Sequence, residues 1–439
     1  MATAVDTLPP ARAVPSAFLQ SVKSWWAVGE KQAAISEERL LRRLPFFQSA
    51  ALSNDSGPVV ATSNHVHLNS PKNYINTLSI VPATPQPNTV TPTPTVLLHG
   101  YGAGIGFYFR NLPALASWAG RRGGSVYAID WLGMGRSARV PFSIRARRDD
   151  IPGRVHEAES FFVESLEEWR TKMGLEKMTL IGHSLGAYFS VAYALRYPDR
   201  VSRLVLLSPA GVPHGPNYTQ PSRELTDEGA GAPAADGKTS QPVETATKKH
   251  VDEIRQEQKE NKRQESRTRR LFTYLWEEGW SPFQVVRATM FWGPMLIGKA
   301  CNCHSYSTRR FSGLSEEETR DMHDYIMNIT LAKGSGEYCI SHILAPGAYA
   351  RMPLVDRIDK LKIPVTFVYG DHDWMDPKGG VQSVEKLRQA GNGNGKMYLV
   401  GNAGHHVYLD NHVAVNELLV KELEKEYENA AYNARNSSS

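Results

Sequence analysis

Short runs of apolar residues recur along the chain, and several are followed by a stretch with the spacing of an amphipathic helix. The runs are uniformly apolar rather than alternating, which is typical of strands buried on both faces of a sheet. They lie at residues 96–98, 126–129, 178–181, 204–207, 365–369 and 397–400. Helices are predicted at 158–173, 185–197 and 413–427. Strands that alternate with helices predict an α/β fold with a mostly parallel central sheet flanked by helices.

The alternation stops near Pro213 and resumes at about residue 356. Residues 214–247 are rich in small residues and proline, which predicts disorder. Residues 248–270 are densely charged with both signs, which predicts a solvated helix or coil, and the two stretches together form a disordered and charged insert over 214–270. Residues 271–355 are aromatic-rich and helical in pattern, and their position between two strand-bearing halves is that of a cap. The predicted organisation is a disordered N-terminus (1–15), a helical N-terminal region (16–65), two core halves (66–213 and 356–428), the insert, the cap and a polar tail (429–439).

The N-terminal region contains a short amphipathic segment. Ser16 is placed to cap a helix at this point. The apolar positions of that helix fall on one face, at Phe18, Leu19, Val22, Trp25 and Trp26. A tryptophan pair on such a helix suits the headgroup region of a membrane, but the same residues could dock on the body of the protein. A second helix is predicted over 35–44, and early strands are expected between 66 and 96, interrupted by a loop at 82–94.

Charge and cysteine content narrow the function classes. A net charge of +5 over 439 residues is mild and gives no reason to expect nucleic-acid binding. Three cysteines cannot form a disulfide framework, so a reducing compartment is expected. The segment from Cys301 to His304 has no second Cys or His cluster to accompany it, so we predict neither a metal nor any other cofactor.

The sequence also bears on location. No run approaches the roughly 18 apolar residues that cross a bilayer, and the N-terminus lacks the pattern of a secretory signal. Arg12 and Lys23 stand against one acidic residue, Asp6, before Glu30. A weak mitochondrial presequence is therefore left open beside a cytoplasmic location, and secretion is not expected.

The first candidate for chemistry is the segment Gly182-His183-Ser184-Leu185-Gly186. The pattern Gly-x-Ser-x-Gly is a weak signal alone, but here it follows a predicted strand and precedes an Ala-rich helix. In that context it predicts a tight strand-to-helix turn that holds the serine at strained backbone angles with its hydroxyl exposed. Ser184 is therefore the candidate nucleophile.

A serine hydroxyl needs a base, and the base needs an acidic partner that fixes its tautomer. On such a strand-turn-helix elbow the acid and then the histidine follow the serine in the chain. Asp373 follows the strand at 365–369 and His405 follows the strand at 397–400, so we assign them as acid and base. Because loop geometry cannot be predicted from sequence, two neighbours of Asp373 and one of His405 stay open as substitutes: Asp371, Asp376 and His406.

The negative charge that develops on the attacked carbonyl oxygen needs two backbone N–H donors. Leu185, the residue after the nucleophile, is expected to supply one of them. Tyr101, in the loop from His99 to Gly104, is expected to supply the other, since its glycine neighbours allow a close approach to substrate. This glycine-rich loop lacks the Gly-Lys-Ser/Thr ending of a phosphate-binding loop, so nucleotide binding is not expected.

His405 and Asp410 form a His-x4-Asp spacing that pairs a base with a carboxylate in membrane acyltransferases. A plainer interpretation is also available here. Asp410 or Asn411 can cap the last helix, while His405 serves Ser184. Both interpretations stay open.

Several segments together resemble a subfamily of the α/β hydrolases. They are His99 to Gly104, Trp131 to Ser137, Gly182 to Gly186, Tyr197 to Val201, Trp292-Gly293-Pro294 and Gly404 to Asp410. The subfamily includes a cardiolipin-specific deacylase, lysophosphatidic-acid acyltransferase-like proteins, an N-acyl-phospholipid lysophospholipase and a lipid-droplet co-activator of triglyceride lipase. The resemblance implies an α/β-hydrolase fold, a glycerophospholipid substrate and a mitochondrial or lipid-droplet address. The co-activator branch carries Asn at the nucleophile position, and this chain departs from it with Ser184.

Three functions are compatible with the residues and the resemblance together. The first is hydrolysis of acyl esters of membrane glycerophospholipids, cardiolipin among them, by Ser184, His405 and Asp373. The second is acyl transfer to a lysophospholipid, with acyl-CoA as a donor in one version. The third is a non-catalytic adaptor that docks on lipid surfaces through Trp25 and Trp26.

Overall fold

A computed structural model describes residues 8–48, 57–84, 90–215, 267–302 and 314–437. Its centre is an eight-stranded sheet with the order β1-β2-β4-β3-β5-β6-β9-β10 within these residues. The first two pairings, β1 with β2 and β2 with β4, are antiparallel, and the other pairings are parallel. The predicted α/β-hydrolase fold with a mostly parallel sheet is thus confirmed.

The strands of the central sheet are β1 (Val59–His67), β2 (Tyr74–Pro82), β3 (Thr95–Leu98), β4 (Val126–Ile129), β5 (Met178–His183), β6 (Val201–Leu207), β9 (Val365–Gly370) and β10 (Gly395–Val400). Two short strands, β7 (Leu344–Ala345) and β8 (Tyr349–Ala350), form a separate hairpin. Every residue of β3, β4, β5 and β9 is buried. Burial on both faces explains why these strands are continuous apolar runs in the sequence.

The α-helices of the described residues are α1 (Phe18–Trp26), α2 (Glu30–Leu41), α3 (Leu112–Arg122), α4 (Ile151–Lys172), α5 (Leu185–Arg196), α6 (Arg267–Glu277), α7 (Pro282–Ala288), α8 (Gly293–Asn302), α9 (Glu316–Leu331), α10 (Ile340–Ile343), α11 (Lys378–Gln389), α12 (Val407–Asp410) and α13 (His412–Ser437). The members from α6 to α10 come almost entirely from the region predicted as the cap. Helix α5, directly after Ser184, is buried from Leu185 to Ala194. A helix buried on nearly all sides holds the turn before it rigidly, because interiors are close-packed.

The bounds of several elements differ from the prediction. Strand β1 begins at Val59, seven residues before the region in which strands were expected. The last helix continues to Ser437, so the segment predicted as a polar tail is helical as far as that residue. The predicted disordered insert lies outside the described residues between 216 and 266, and its last four residues, 267–270, already belong to α6.

The start of α1 also differs from the prediction. The helix begins at Phe18 after Ala17, and Ser16 is not its cap residue. Instead, the Gln20 side chain accepts hydrogen bonds from the N–H groups of Ser16 and Ala17. A side chain from the first turn thus satisfies two backbone N–H groups that precede the helix.

Residues 1–15 were predicted to be disordered, but from residue 8 onwards the structure describes this segment, and it is bonded to the region predicted as the cap. Arg12 Nε donates to Oδ1 of Asp324 at 2.6 Å, and its Nη2 donates to Oδ1 of Asn328 at 2.7 Å. Ser21 on α1 donates to the carbonyl oxygen of Phe291 and accepts from the N–H of Met295. These bonds hold α1 against the start of α8, so the N-terminal region and the cap form one packed layer.

None of the helices in the described part of the chain combines the length and the apolar character that a bilayer crossing requires.

Candidate active site

Ser184 occupies a sharp turn between β5 and α5. Its φ of 52° with ψ of −115° is an angle pair that non-glycine residues rarely adopt. A methyl group added at Gly182 would lie 2.6 Å from Ser190 Oγ, and one added at Gly186 would lie 2.4 Å from the Leu98 carbonyl oxygen. Only glycine fits at these two positions, and the turn stores backbone strain of the kind found at reactive centres.

Three of the residues singled out from the sequence come together at this turn. Ser184 Oγ lies 3.0 Å from Nε2 of His405, and Nδ1 of His405 lies 3.0 Å from Oδ1 of Asp373. Because a carboxylate accepts, the His405 proton belongs on Nδ1, and Nε2 is left to accept from the serine hydroxyl. The Asp373 side chain is fully buried while that of His405 is 15% exposed. The chain therefore brings a hydroxyl, an imidazole and a buried carboxylate into one hydrogen-bonded line.

The other two carboxylates of this loop have different partners. Asp371 accepts from the N–H groups of Asn402 and Ala403 at 2.9 and 3.0 Å, and it pairs with Nδ1 of His372. Burial by itself would raise the pKa of Asp371, but these bonds outweigh it and lower the pKa. Asp376 accepts from the N–H of Lys378 at the start of α11. Asp371 thus links the loop after β9 to the loop after β10, and Asp373 is the carboxylate that contacts His405.

Two further histidines surround His405. His406, the substitute base considered from the sequence, is buried, with its ring 5.6 Å from that of Phe107 and its Nδ1 3.2 Å from the Tyr408 hydroxyl. His183 donates from Nε2 to the carbonyl oxygen of His405 at 3.0 Å. The residue before Ser184 therefore holds the backbone of the loop that carries the imidazole. This contact was not predicted, although His183 lies inside the motif.

The two N–H donors expected from the sequence belong to segments that adjoin Ser184. Leu185 is the first residue of α5, so its N–H is one of those that have no acceptor within the helix. Tyr101 follows Gly100, where an added methyl group would lie 2.9 Å from Ser184 Cβ. This close approach brings the peptide between Gly100 and Tyr101 next to the serine.

Helix α7, in the region predicted as the cap, contacts this loop. The ring of Phe283, on α7, packs against that of Tyr101 with centroids 4.7 Å apart, and its N–H lies 3.3 Å from the Tyr101 hydroxyl. On the other side the indole of Trp374, 56% exposed, has its centroid 5.0 Å from the His405 ring. Phe283 belongs to the aromatic-rich stretch predicted as the cap but was given no place at the site, and Trp374 was not predicted. Ser281 and Gln284, which cap α7 in a reciprocal pair, are the local signal that could have located Phe283.

Asp410 supports the loop of His405 through its backbone. Both ring nitrogens of His405 bond other side chains, those of Ser184 and Asp373. Oδ2 of Asp410 accepts from the N–H of Gly404 at 2.9 Å. Asn411 is the N-terminal capping residue of the last helix, since its side-chain oxygen accepts from the N–H of Ala414. Asp410 therefore holds the backbone beside His405.

Two further predictions concern α1 and the cysteine segment. Trp25 and Trp26 both lie near Phe291, with ring centroids 6.3 and 6.0 Å away, and Trp26 is 74% exposed. Helix α1 thus docks on the cap and still presents an indole to solvent.

The side chain of Cys301 and all of Cys303 and His304 lie outside the described residues. Among those described, no cluster of three His, Cys, Asp or Glu is placed to hold a metal ion.

A surface groove of about 850 Å³ runs between α3 and α13, lined by residues such as Pro113, Val413 and Val420. It includes none of the residues around Ser184, so we do not assign it to the reaction.

Comparisons with known proteins agree with the fold. Residues 93–412 match the family model described as the alpha/beta hydrolase fold. A 1-acylglycerol-3-phosphate O-acyltransferase of Arabidopsis thaliana is 32% identical over 88% of this chain and 79% of its own length. The human 1-acylglycerol-3-phosphate O-acyltransferase ABHD5 is 30% identical over 74% of this chain and 75% of its own. A human (lyso)-N-acylphosphatidylethanolamine lipase is 30% identical over 73% and 78%.

Proposed function

Because this chain belongs to the alpha/beta hydrolase fold family, we propose that it is a serine acyl hydrolase of membrane glycerophospholipids. The observation that carries the proposal is the continuous hydrogen-bonded line from Ser184 Oγ through His405 to Asp373, with both steps at 3.0 Å. A nucleophile, a base and a group that orients the base are the three parts that acyl transfer to a hydroxyl requires.

In the first half of the reaction, Ser184 Oγ attacks the carbonyl carbon of an acyl ester while Nε2 of His405 takes the hydroxyl proton. Asp373 stabilises the imidazolium that forms. The N–H groups of Leu185 and Tyr101 bind the oxyanion of the tetrahedral intermediate. The intermediate collapses when His405 returns the proton to the departing glycerol oxygen, which leaves an acyl-enzyme and a lysophospholipid. In the second half His405 takes a proton from water, whose oxygen attacks the acyl carbon. The bond to Ser184 Oγ then breaks as His405 returns the proton to Oγ, and free fatty acid is released.

A lipid substrate is supported by the apolar surroundings of Ser184. The serine is 7% exposed, the rings of Tyr101 and Phe283 pack against each other in the neighbouring loop, and the indole of Trp374 lies beside the His405 ring. Aromatic side chains of this kind suit contact with an acyl chain. The names of two relatives refer to 1-acylglycerol-3-phosphate and to N-acylphosphatidylethanolamine, both of which are lipids. On this proposal the substrate is a phospholipid such as cardiolipin, and the reaction remodels its acyl chains.

A second candidate is acyl transfer, and the names of the plant and animal relatives favour it. The acyl-enzyme on Ser184 could equally be attacked by the hydroxyl of a lysophospholipid, and acyl-CoA could serve as the donor. In this version His405 deprotonates the lipid hydroxyl in place of water. A mechanism that pairs His405 with Asp410 and omits Ser184 has less support, because both His405 ring nitrogens bond other side chains.

The enzyme is proposed to work at a lipid surface, that of a mitochondrial membrane or of a lipid droplet. Three apolar side chains of α1 are well exposed, with Phe18 at 42%, Leu19 at 73% and Trp26 at 74%. Exposed indoles and leucines on one short helix suit the boundary between headgroups and acyl chains. A purely adaptor role would use the same face but would need no aligned Ser184, His405 and Asp373.

The test uses vesicles of phosphatidylcholine with or without cardiolipin, each carrying labelled acyl chains. Hydrolysis predicts release of free fatty acid by the wild type and its loss in Ser184→Ala, while Ser383→Ala, a buried serine on α11, retains it. Added lysophospholipid that diverts label into a new diacyl lipid would favour transfer through the same acyl-enzyme. An acyl-CoA-dependent product that survives Ser184→Ala would contradict the role of Ser184. No release and no transfer by folded protein would leave the adaptor role.

A further inference from the structure

The peptide unit between Gly100 and Tyr101 has a feature that bears on the proposed reaction, and the role inferred below for His99 rests on that proposed function. A peptide bond is planar and almost always trans, so the C=O of one residue and the N–H of the next point in opposite directions. Any contact that fixes the carbonyl of Gly100 therefore also fixes the direction of the Tyr101 N–H. That N–H is the second proposed donor to the oxyanion.

The Gly100 carbonyl is fixed by the preceding side chain. Nδ1 of His99 lies 2.8 Å from the Gly100 oxygen, and the N–H of Ala103 lies 3.3 Å from the same atom. A carbonyl oxygen can only accept, so His99 carries its proton on Nδ1. The imidazole thus makes the shorter of the two bonds to this carbonyl.

The other side of the His99 ring is held as well. Its Nε2 accepts from the backbone N–H of Trp131 at 3.1 Å, and the Trp131 indole donates to the His99 carbonyl at 2.9 Å. Oδ1 of Asp130 lies 3.5 Å from Nε2, but it bonds the N–H of Ile105 at 2.9 Å. His99 is fully buried, and burial lowers its pKa to about 4. The ring is therefore neutral near pH 7, with a single tautomer set by its two partners.

Tyr101 is thus held at two points by different parts of the protein. Its backbone is oriented by His99 from the core, and its side chain contacts Phe283 of the cap. Movement of the cap would release the side chain but leave the bond from His99 to Gly100 intact. A donor that keeps its direction independently of the cap is preorganised, which is what stabilisation of an oxyanion requires.

We propose that His99 is a positioning residue: by donating from Nδ1 to the Gly100 carbonyl, it aims the Tyr101 N–H at the oxygen of the reacting acyl group. Its hydrogen bonds go to Gly100 and Trp131 and not to Ser184. Its effect is therefore expected on the stabilisation of the oxyanion and not on substrate binding.

Two substitutions of His99 test whether the Nδ1 donor matters or only a polar side chain at this position. In His99→Asn the side-chain amide nitrogen would stand close to the position of Nδ1, whereas in His99→Gln it would stand close to the position of Nε2. Both new side chains are polar and similar in size, so any general loss of stability should be shared. Thermal melting and circular dichroism check that both variants fold.

The readout is the ratio of kcat/KM for 4-nitrophenyl butyrate to that for its thionoester, in which sulfur replaces the carbonyl oxygen. Sulfur accepts hydrogen bonds weakly, so an aimed N–H donor accelerates the oxygen ester far more than the thionoester. Loss of an oxyanion donor slows catalysis by about 10²- to 10³-fold. We expect His99→Gln to lower the ratio by about tenfold, as part of that effect, and His99→Asn to keep it within about threefold of wild type.

His323→Gln is the matched control, because His323 is also buried, with its pKa lowered to about 4 by burial, but lies on α9. It should leave the ratio unchanged. An unchanged ratio in His99→Gln, or an equal fall in His99→Gln and His99→Asn, would overturn the positioning role. The proposed function is tested separately by comparing ester hydrolysis in the wild type and in Ser184→Ala, where it should be lost. A wild type that hydrolyses neither ester would overturn the function and the positioning role with it.

Discussion

Phe283 of the cap lies directly on Gly102 of the loop beside Ser184. A methyl group added at Gly102 would stand 2.7 Å from Cζ of Phe283, and Gly102 has a φ of +73°. The loop that supplies a proposed oxyanion donor and the helix that covers it are therefore in contact at a position where only glycine fits. A substitution at Gly102 or at Phe283 should therefore displace the other residue.

We predict that Gly102→Ala lowers kcat/KM by about tenfold or more, equivalent to about 1.4 kcal/mol, because the new methyl group displaces Phe283 and strains the backbone. Adding Phe283→Ala should restore part of the loss, with a coupling of about 1 kcal/mol, as is usual for residues in contact. Gly391→Ala is the control, since Gly391 has a φ of +80° and nothing within 4 Å. Additive effects of the two substitutions would contradict this contact.

The acidic residue can be identified by substitutions within one loop. Asp373→Asn should lower kcat by about 10³- to 10⁴-fold, because the amide holds His405 in the wrong tautomer. Asp376→Asn keeps an oxygen that can accept from the N–H of Lys378, so its kcat should stay within a few-fold of wild type. Steady-state kinetics on a soluble ester compare the two. Equal losses in both variants would mean that Asp373 has no special role.

Docking on lipid should depend on α1. Trp26→Ala removes an indole that is 74% exposed, and we expect binding to phosphatidylcholine and cardiolipin vesicles to weaken by about tenfold, or about 1.4 kcal/mol. Tyr432→Ala, which removes a 67% exposed ring near the end of α13, serves as the control and should not change binding. Vesicle co-sedimentation measures both. Equal binding by wild type and Trp26→Ala would remove α1 from the lipid contact.

Stability should depend on pH through Glu422, a buried carboxylate that lies 2.7 Å from Arg203 and 3.3 Å from Lys396. Burial alone would raise the pKa of Glu422, but the charges of Lys396 and Arg203 outweigh it and lower the pKa below 4.5. The folded protein therefore keeps this charge at pH values where the unfolded chain takes up a proton. The contribution to stability is complete above pH 4.5 and is lost as the pH falls through the lower pKa of the folded state.

Glu422→Gln should accordingly reduce the free energy of unfolding at neutral pH by up to about 3 kcal/mol, and this difference should shrink below pH 4.5. Urea denaturation across this range measures it, with Glu428→Gln, an exposed carboxylate on the same helix, as the comparison. A difference that stays constant with pH would show that charge at Glu422 is not what stabilises the fold.

The sheet and the serine turn could be predicted from sequence because their signals are local. Uniform apolar runs mark buried strands, and Gly182 and Gly186 mark a turn that admits no side chain. The order of Ser184, Asp373 and His405 along the chain matches the ends of parallel strands that lie at one edge. These are properties of short segments and of their order.

Other features could not be predicted because they depend on loop conformation or on distant parts of the chain. The segment from Asp371 to Asp376 contains three carboxylates, and only the folded loop directs Asp373 to His405. Arg12 and Asp324 are 312 residues apart, so nothing local links them. The extension of α13 was missed for another reason, since Ala430 and Ala431 are strong helix formers and their propensity outweighs the polar composition of the segment.

The most direct test of the central claim is the reaction of folded protein with a fluorophosphonate, followed by mass spectrometry of the adduct. If Ser184 is activated by His405 and Asp373, the wild type gains one phosphonyl group on the peptide that contains Ser184. Ser184→Ala should gain none, and His405→Ala should react far more slowly. Folded wild-type protein that is not labelled at Ser184, or that is labelled equally fast without His405, would contradict the assignment of Ser184 as an activated nucleophile.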